Sequence, residues 1–120
     1  MTNLGEELRY NLRAHNYIPE EVHHVVVHDE HGREFYVDVE SFLAYADRVA
    51  YEACYGLQNI DASLVVVMKD GSWFSRQEYD GSERFLYHLA PSLDVAVEPF
   101  DPQKVTLCEG EIYIAPDGRM

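Results

Sequence analysis

The sequence has few cysteines, few basic residues and no long apolar run. No stretch of about 18 apolar residues occurs, and the N-terminus, Met1 to Glu7, lacks the basic and apolar regions of a signal peptide. Cys54 and Cys108 show no metal-ligand spacing and are predicted to be reduced, partly buried thiols. We therefore expect a cytoplasmic protein without a membrane segment.

Motifs of catalysis are also scarce. The chain contains no GxGxxG sequence and no glycine-rich phosphate loop. None of the serines near predicted turns lies in a nucleophile-elbow motif: Ser72, Ser75 and Ser82. Carboxylate pairs such as Glu78 and Asp80 are common by chance in an acidic chain, so they are weak evidence for acid–base chemistry. The sequence predicts a protein that is not an enzyme and has no cofactor.

What the chain does have is enough apolar sequence for one folded domain. It has 120 residues, of which 47% are hydrophobic, and nine of them are tyrosines. That length suits a single domain spanning residues 1–120, and the composition is unlike that of a disordered acidic tail. A chain of this size can bury a core without disulfides or a structural metal.

Acidic residues outnumber basic ones by 22 to 9, for a net charge of −13. Residues 20–40 carry seven acids against Arg33 alone, and residues 94–120 carry six acids against two bases. These two segments together account for −10 of the net charge of −13. Such a charge repels nucleic-acid phosphates, which argues against direct DNA or RNA binding. It has two interpretations, plain solubility and a protein partner with a basic surface.

The apolar pattern predicts an α+β fold, a twisted antiparallel sheet of about five to seven strands with two helices on one face. Leu4, Leu8 and Leu12 recur every four residues behind a potential cap at Asn3, and Asp38 is placed to cap the second helix. We expect helices at 3–15 and 40–53, strands at 21–28, 33–39, 62–69, 72–79 and 84–90, irregular chain at 91–103, and a last hairpin formed by 104–108 and 111–115.

The predicted strand 72–79 has an unusual distribution of aromatic and charged residues between its two faces. Trp73 and Tyr79 fall on one face and are predicted to cover the core, while Arg76 on the other face pairs with Glu78 or Glu83 across strands. The alternative is an exposed aromatic and arginine patch of the kind that dominates protein–protein interfaces.

Four of the six histidines lie within nine residues: His23, His24, His28 and His31. His24 and His28 share a strand face, and Asp29, Glu30 and Glu34 are close in sequence, so a zinc site is conceivable. The spacing fits no standard ligand motif, and an exposed polar hairpin explains the same residues. We therefore predict no metal.

Residues 51–88 resemble a group of small proteins from phages and mobile elements of bacteria. The resemblance rests on Tyr55-Gly56, the apolar residues 64–67, Trp73, Arg76 and the run Glu-Tyr-Asp-Gly-Ser-Glu at 78–83. The family pattern has further tryptophans where this chain has Phe74 and Arg84-Phe85. The resemblance implies a phage context without an assigned chemistry. Small acidic phage proteins often inhibit host defence systems, CRISPR and restriction among them. This supports an inhibitory function by analogy only.

Together, charge and resemblance predict a non-catalytic, phage-type inhibitor of a host defence complex in the cytoplasm of a bacterial host, in the first place an anti-CRISPR protein that mimics DNA. Its acidic face would bind the basic, nucleic-acid-binding surface of a CRISPR effector. The predicted partner-binding residues are acidic ones from two segments: Asp29, Glu30, Glu34, Asp38, Glu40, Glu78, Asp80 and Glu83. Two alternatives stay open, a small metal-dependent hydrolase using the His23–His31 cluster and a self-associating structural or regulatory phage protein marked by an apolar patch.

Overall fold

The computed structural model describes residues 1–52, 59–79, 81–106, 109–111, 113 and 115. Within them lie two α-helices and seven strands, which confirms the predicted α+β class. The elements in chain order are β1 (Thr2–Asn3), α1 (Leu4–Ala14), β2 (Val22–His28), β3 (Glu34–Val37), α2 (Val39–Ala46), β4 (Ala50–Tyr51), β5 (Val65–Met68), β6 (Trp73–Tyr79) and β7 (Ser82–His88). No helix in these residues is long and apolar enough to cross a membrane.

Five strands form one antiparallel sheet in the order β3-β2-β5-β6-β7, and β1 pairs with β4 in a separate two-stranded ribbon. The sheet consists of a β2–β3 hairpin and a β5–β6–β7 meander, joined where Val25 pairs with Val66. Since β5 runs antiparallel to both β2 and β6, the latter two strands run in the same direction. The β2–β3 turn and the β6–β7 turn therefore lie at the same end of the sheet.

Two predicted turns form as their sequences indicate. In the β2–β3 turn, the backbone N–H of Asp29 donates to the carbonyl of Arg33 over 3.0 Å, and Gly32 adopts φ of +79°. In the β5–β6 turn, Gly71 adopts φ of +90°. Residues with a Cβ rarely adopt this left-handed conformation, so the two glycines permit the tight reversals.

Helix α1 is close to its predicted bounds. The side chain of Asn3 accepts a hydrogen bond from the N–H of Glu6 over 2.9 Å, which caps the first turn. The stripe Leu4, Leu8 and Leu12 is buried, with exposures of 3%, 0% and 0%. Asn16, at φ of +64°, ends the helix by turning the chain so that the N–H of Tyr17 donates to the carbonyl of Leu12.

Helix α2 is shorter than the sequence predicts. The prediction continued it to residue 53, but the helix ends at Ala46, and Ala50 and Tyr51 pair with β1 as strand β4. The carbonyl of Val49 accepts from the N–H of Leu4, which draws this segment toward the start of α1. Tertiary pairing thus prevails over the local helical preference of residues 47–52. Ala53, the last residue of the predicted helix, lies outside the described residues.

Both helices pack on one face of the sheet, as predicted. The core lies between that face and the apolar sides of the helices: Leu4, Leu8, Leu12, Val39, Phe42, Leu43 and Ala46 from α1 and α2, with Val25, Val66, Met68, Phe74 and Phe85 from the sheet. In β6 it is Phe74 that is fully buried, and Trp73 lies half-buried on the opposite face. The prediction that Trp73 and Tyr79 cover the core is therefore wrong, and Tyr79 is 78% exposed.

The chain after β7 has no regular element in its described part. Residues 89–106 run as irregular chain, as predicted for 91–103. The predicted last hairpin at 104–108 and 111–115 lies partly outside the described residues. Its described positions, 104–106, 109–111, 113 and 115, carry no strand. Cys54 and Cys108 also lie outside.

Candidate functional site

Five exposed carboxylates lie at the end of the sheet that holds the β2–β3 and β6–β7 turns. We call them the acidic end: Asp29, Glu30, Glu34, Asp61 and Glu78. They come from three connections, namely the β2–β3 turn, the chain before β5 and the end of β6. The antiparallel register brings these connections to one end. Of the predicted residues, Asp29, Glu30, Glu34 and Glu78 are thus brought together.

The β2–β3 turn holds its carboxylates in fixed positions. Oδ1 of Asp29 accepts from the backbone N–H of His31 over 2.8 Å and from that of Arg33 over 2.9 Å. Glu34 accepts a 2.6 Å hydrogen bond from the hydroxyl of Tyr36, and this bond, with a smaller contribution from His28, holds the pKa of Glu34 below its ordinary value. Glu34 therefore remains ionised at neutral pH.

Asp61 is a member of the acidic end that the sequence did not single out. Its Oδ1 accepts from the N–H of Ser63 over 2.9 Å and from the Ser63 hydroxyl over 2.7 Å. The two hydrogen bonds hold the pKa of Asp61 below its ordinary value. An Asp-x-Ser sequence before a strand is a common turn pattern and would have been the available signal.

His28 lies between Ser63, which also contacts Asp61, and Glu34. Its Nδ1 lies 2.8 Å from the Ser63 hydroxyl, and its Nε2 lies 3.5 Å from Oε1 of Glu34. Because an ionised Asp61 can only accept, the single hydroxyl proton of Ser63 goes to Asp61, and Nδ1 of His28 must donate to Ser63. A ring nitrogen that donates to a hydroxyl does not remove its proton, so this arrangement is not that of a serine nucleophile with its base.

The four histidines between positions 23 and 31 do not come together around one point. His23 and His24 contact each other, with 2.8 Å between their Nδ1 atoms, whereas His28 is bound to Ser63. His31 lies 3.5 Å from Glu30 in the turn. Within the part of the chain that the structure describes, no three His, Cys, Asp or Glu side chains are grouped so as to hold a metal ion.

Asp38 and Glu40 lie away from the acidic end. Strand β3 runs from Glu34 at that end to Val37, which pairs with Val25, so the two acids follow at the opposite end of the strand. Asp38 caps α2 as predicted, since its side chain accepts from the N–H of Ser41 over 2.9 Å. That bond holds the pKa of Asp38 below its ordinary value. Both residues are exposed but do not extend the acidic end.

Glu83 is not a surface residue, which corrects its place in the predicted partner-binding set. Its side chain is 2% exposed and faces the core. One oxygen accepts from the N–H of Asn59 over 2.6 Å, and the other accepts from that of Ile60 over 3.0 Å. Asp80, the last predicted member of the set, lies outside the described residues.

Glu83 belongs to a buried cluster around Arg76. The Arg76 side chain is fully buried, with Nη2 3.4 Å from Glu83 and 3.0 Å from the Tyr51 hydroxyl, and Nη1 3.1 Å from Glu7. The guanidinium lies over the ring of Phe85 at 4.6 Å. The predicted Arg76–Glu83 pair is thus confirmed, and the exposed aromatic and arginine patch is excluded because Arg76 has no solvent contact. The Nε atom has no hydrogen-bond partner among the described residues.

A small cavity lies behind the acidic end, between α2 and the sheet. Its volume is about 230 Å³. Apolar side chains such as Phe42 and Leu64 form its wall, and His28, Asn59 and Asp61 form its polar part. Small-molecule sites usually measure about 300–1,000 Å³. We therefore assign it no ligand.

The residues behind the suggested phage-family resemblance fall mostly in the meander. Residues 64–67 lead into and form much of β5, Trp73 and Arg76 belong to β6, and residues 78–83 span the β6–β7 turn. Tyr55-Gly56 and Asp80 lie outside the described residues. No protein-family model, no curated protein and no solved structure matches the chain, and the resemblance stays a prediction.

Proposed function

We propose that this protein is a non-catalytic inhibitor that binds the basic, nucleic-acid-binding surface of a partner protein through its acidic end. The partner class that fits best is a host defence complex, above all a CRISPR effector, acting in the cytoplasm of a bacterial host. The protein binds no nucleic acid itself, because its net charge of −13 repels phosphate.

One observation carries the proposal. Short, hydrogen-bonded turns present five exposed carboxylates at one end of a rigid sheet, and a lowered pKa keeps Glu34 and Asp61 ionised. A surface of fixed carboxylates resembles the regular negative charge of a nucleic-acid backbone. A basic channel that holds a guide–target duplex is complementary to such a surface.

The net charge adds a kinetic argument. A protein at −13 is attracted over a distance to a lysine- and arginine-rich channel, which raises the association rate at low salt. The acidic end then determines the orientation in which the two proteins meet. The hydrolase alternative lacks such support, since His28 donates to Ser63 and the histidines do not converge.

The test is competition with DNA for a panel of purified, guide-loaded CRISPR effector complexes, followed by fluorescence anisotropy of labelled target DNA. We expect the protein to lower DNA binding by at least one effector. A variant that neutralises four of the five carboxylates of the acidic end without changing the shape of their side chains should lose this effect: Asp29→Asn, Glu30→Gln, Glu34→Gln and Glu78→Gln.

A matched control removes the same number of charges at positions outside both proposed contacts: Glu6→Gln, Asp101→Asn, Glu109→Gln and Glu111→Gln. These four acids are exposed and distant in sequence from the acidic end. The control should inhibit like the parent protein. An equal loss of inhibition in both variants would show that only total charge matters. If the parent protein inhibited no effector, the CRISPR assignment would be refuted.

A further inference from the structure

The described chain after β7 exposes an unusual number of large apolar side chains. Leu93 is 94% exposed, Val95 61%, Val97 92% and Phe100 69%. A scattered exposed leucine needs no explanation, but four such residues within eight positions form a contiguous apolar segment of the kind that marks an interaction site.

Residues 93–98 have the pattern of a β-strand. The sequence Leu-Asp-Val-Ala-Val-Glu alternates apolar and acidic or small residues, so that Leu93, Val95 and Val97 would share one face of a strand, and Asp94 and Glu98 the other. In this structure the segment pairs with none of the described strands. It is therefore a strand sequence whose partner is not supplied by the described part of its own chain.

The same chain offers an open sheet edge. β7 is the last strand of the five-stranded sheet, and among the described residues no strand lies on its outer side. Phe85 and Tyr87 of β7 point to the core face, and Arg84 points to the opposite face and is exposed. A strand edge of this length is a template for pairing with another strand.

We propose that residues 93–98 of one copy add to the β7 edge of a second copy, from Glu83 to His88, and extend its sheet by a strand. Leu93, Val95 and Val97 continue the apolar layer beside Phe85 and Tyr87. Asp94 and Glu98 then lie on the same face as Arg84, which gives the contact its charge complementarity.

A second copy is the occupant because each chain carries both halves of the contact, the strand sequence and the open edge. Two copies can exchange these segments reciprocally, which closes a dimer with twofold symmetry and leaves neither half uncovered. The net charge of −13 on each copy opposes the dimer at low salt. This inference is independent of the acidic end, which is built from other residues.

The experiment is size-exclusion chromatography with light scattering of the full chain, followed by measurement of the dimer Kd by analytical ultracentrifugation. We expect a mass of twice 13.9 kDa for the parent protein. The pair of substitutions Val95→Lys and Val97→Lys should raise the dimer Kd by about tenfold or more, since both remove apolar contact. Arg84→Glu should also raise it, from the β7 side of the contact.

The matched control places two lysines at exposed polar positions on either side of residues 93–98, Ser92→Lys and Gln103→Lys. It should dimerise like the parent protein or more tightly, because it lowers the net negative charge without touching the strand face. A monomeric parent protein would overturn the proposal. A dimer whose Kd is unchanged by the Val95 and Val97 substitutions would also overturn it. An unchanged Kd for Arg84→Glu would show that β7 is not the strand that accepts residues 93–98.

Discussion

Arg76 and Glu83 lie on neighbouring strands and face the core together, with Nη2 of the arginine 3.4 Å from Oε1 of the glutamate. Removing one member of a buried pair leaves the other charge uncompensated, which costs about 3–5 kcal/mol. We expect this loss for Arg76→Met in urea unfolding followed by the fluorescence of Trp73, the chain's single tryptophan. The double variant with Glu83→Gln should lose less than the sum of the two single variants.

The control for this pair is Arg48→Met, which removes an exposed arginine in the chain after α2. Its free energy of unfolding should stay within about 0.5 kcal/mol of the parent protein. If Arg76→Met were as mild as the control, the buried cluster would contribute nothing to stability.

Gly5 is required by a close approach between α1 and the end of α2. A Cβ at position 5 would lie 2.0 Å from Oδ1 of Asp47 and 3.0 Å from the backbone nitrogen of the same residue. Gly→Ala inside a helix normally stabilises it by about 1 kcal/mol. Here we expect Gly5→Ala to lower the free energy of unfolding by about 1–3 kcal/mol, because the helix must shift away from Asp47.

Thermal and urea unfolding of Gly5→Ala would measure this loss. Tyr10→Ala is the control, because Tyr10 lies on the same helix and is 66% exposed. A stabilised Gly5→Ala variant would mean that the contact with Asp47 is not as close as described.

The raised pKa of Tyr51 leads us to expect a loss of stability at alkaline pH. Burial, together with donation of its hydroxyl proton to Glu7, raises the pKa of Tyr51 from 10.0 to about 12. The folded state therefore holds the proton more tightly than the unfolded state. Its contribution is complete below pH 10 and is lost as the pH rises through about 12.

Urea unfolding at several pH values between about 9 and about 12 measures this slope. Tyr51→Phe should be less stable at neutral pH but should lose less stability over the alkaline range than the parent protein. Tyr17→Phe should behave in the same way, because burial and donation to Asp70 raise the pKa of Tyr17. Parallel slopes for all three proteins would contradict the prediction.

Salt should act in opposite directions on the two proposed contacts. Raising the ionic strength from about 0.05 to about 0.5 M shortens the screening length several-fold. Binding of the acidic end to a basic effector should weaken, mostly through slower association. Dimerisation should strengthen, since repulsion between two copies at −13 is screened while the apolar contact is not. Competition assays and ultracentrifugation across this range would separate the two.

The sequence predicted the elements that depend on local patterns. The leucine stripe of α1, the Asx cap at Asp38 and the turn glycines Gly32 and Gly71 all formed as expected, because each depends on residues within one turn or hairpin. The end of α2 was missed, because it depends on pairing of β4 with β1, in which Tyr51 pairs with Thr2, 49 residues earlier.

The orientation of β6 was missed for a different reason. A strand with Trp73 and Tyr79 on one face and Arg76 on the other normally turns its aromatics inward. Here the buried arginine is compensated by Glu7, Glu83 and Tyr51 from three separate elements, and no local pattern reveals such a set. The same limit explains why Glu83 was assigned to the surface and why the acidic end needed the sheet order to be recognised.

The junction between β2 and β5 has a consequence for how the chain folds. Each hairpin closes over a few residues, whereas the pairing of Val25 with Val66 joins segments 41 residues apart. Closing so long a loop costs conformational entropy that closing a hairpin turn does not, so this step is expected to be slower than hairpin closure. Val25→Ala or Val66→Ala should therefore slow refolding in stopped-flow experiments. The five-stranded sheet is complete only once the hairpin and the meander have met at this junction.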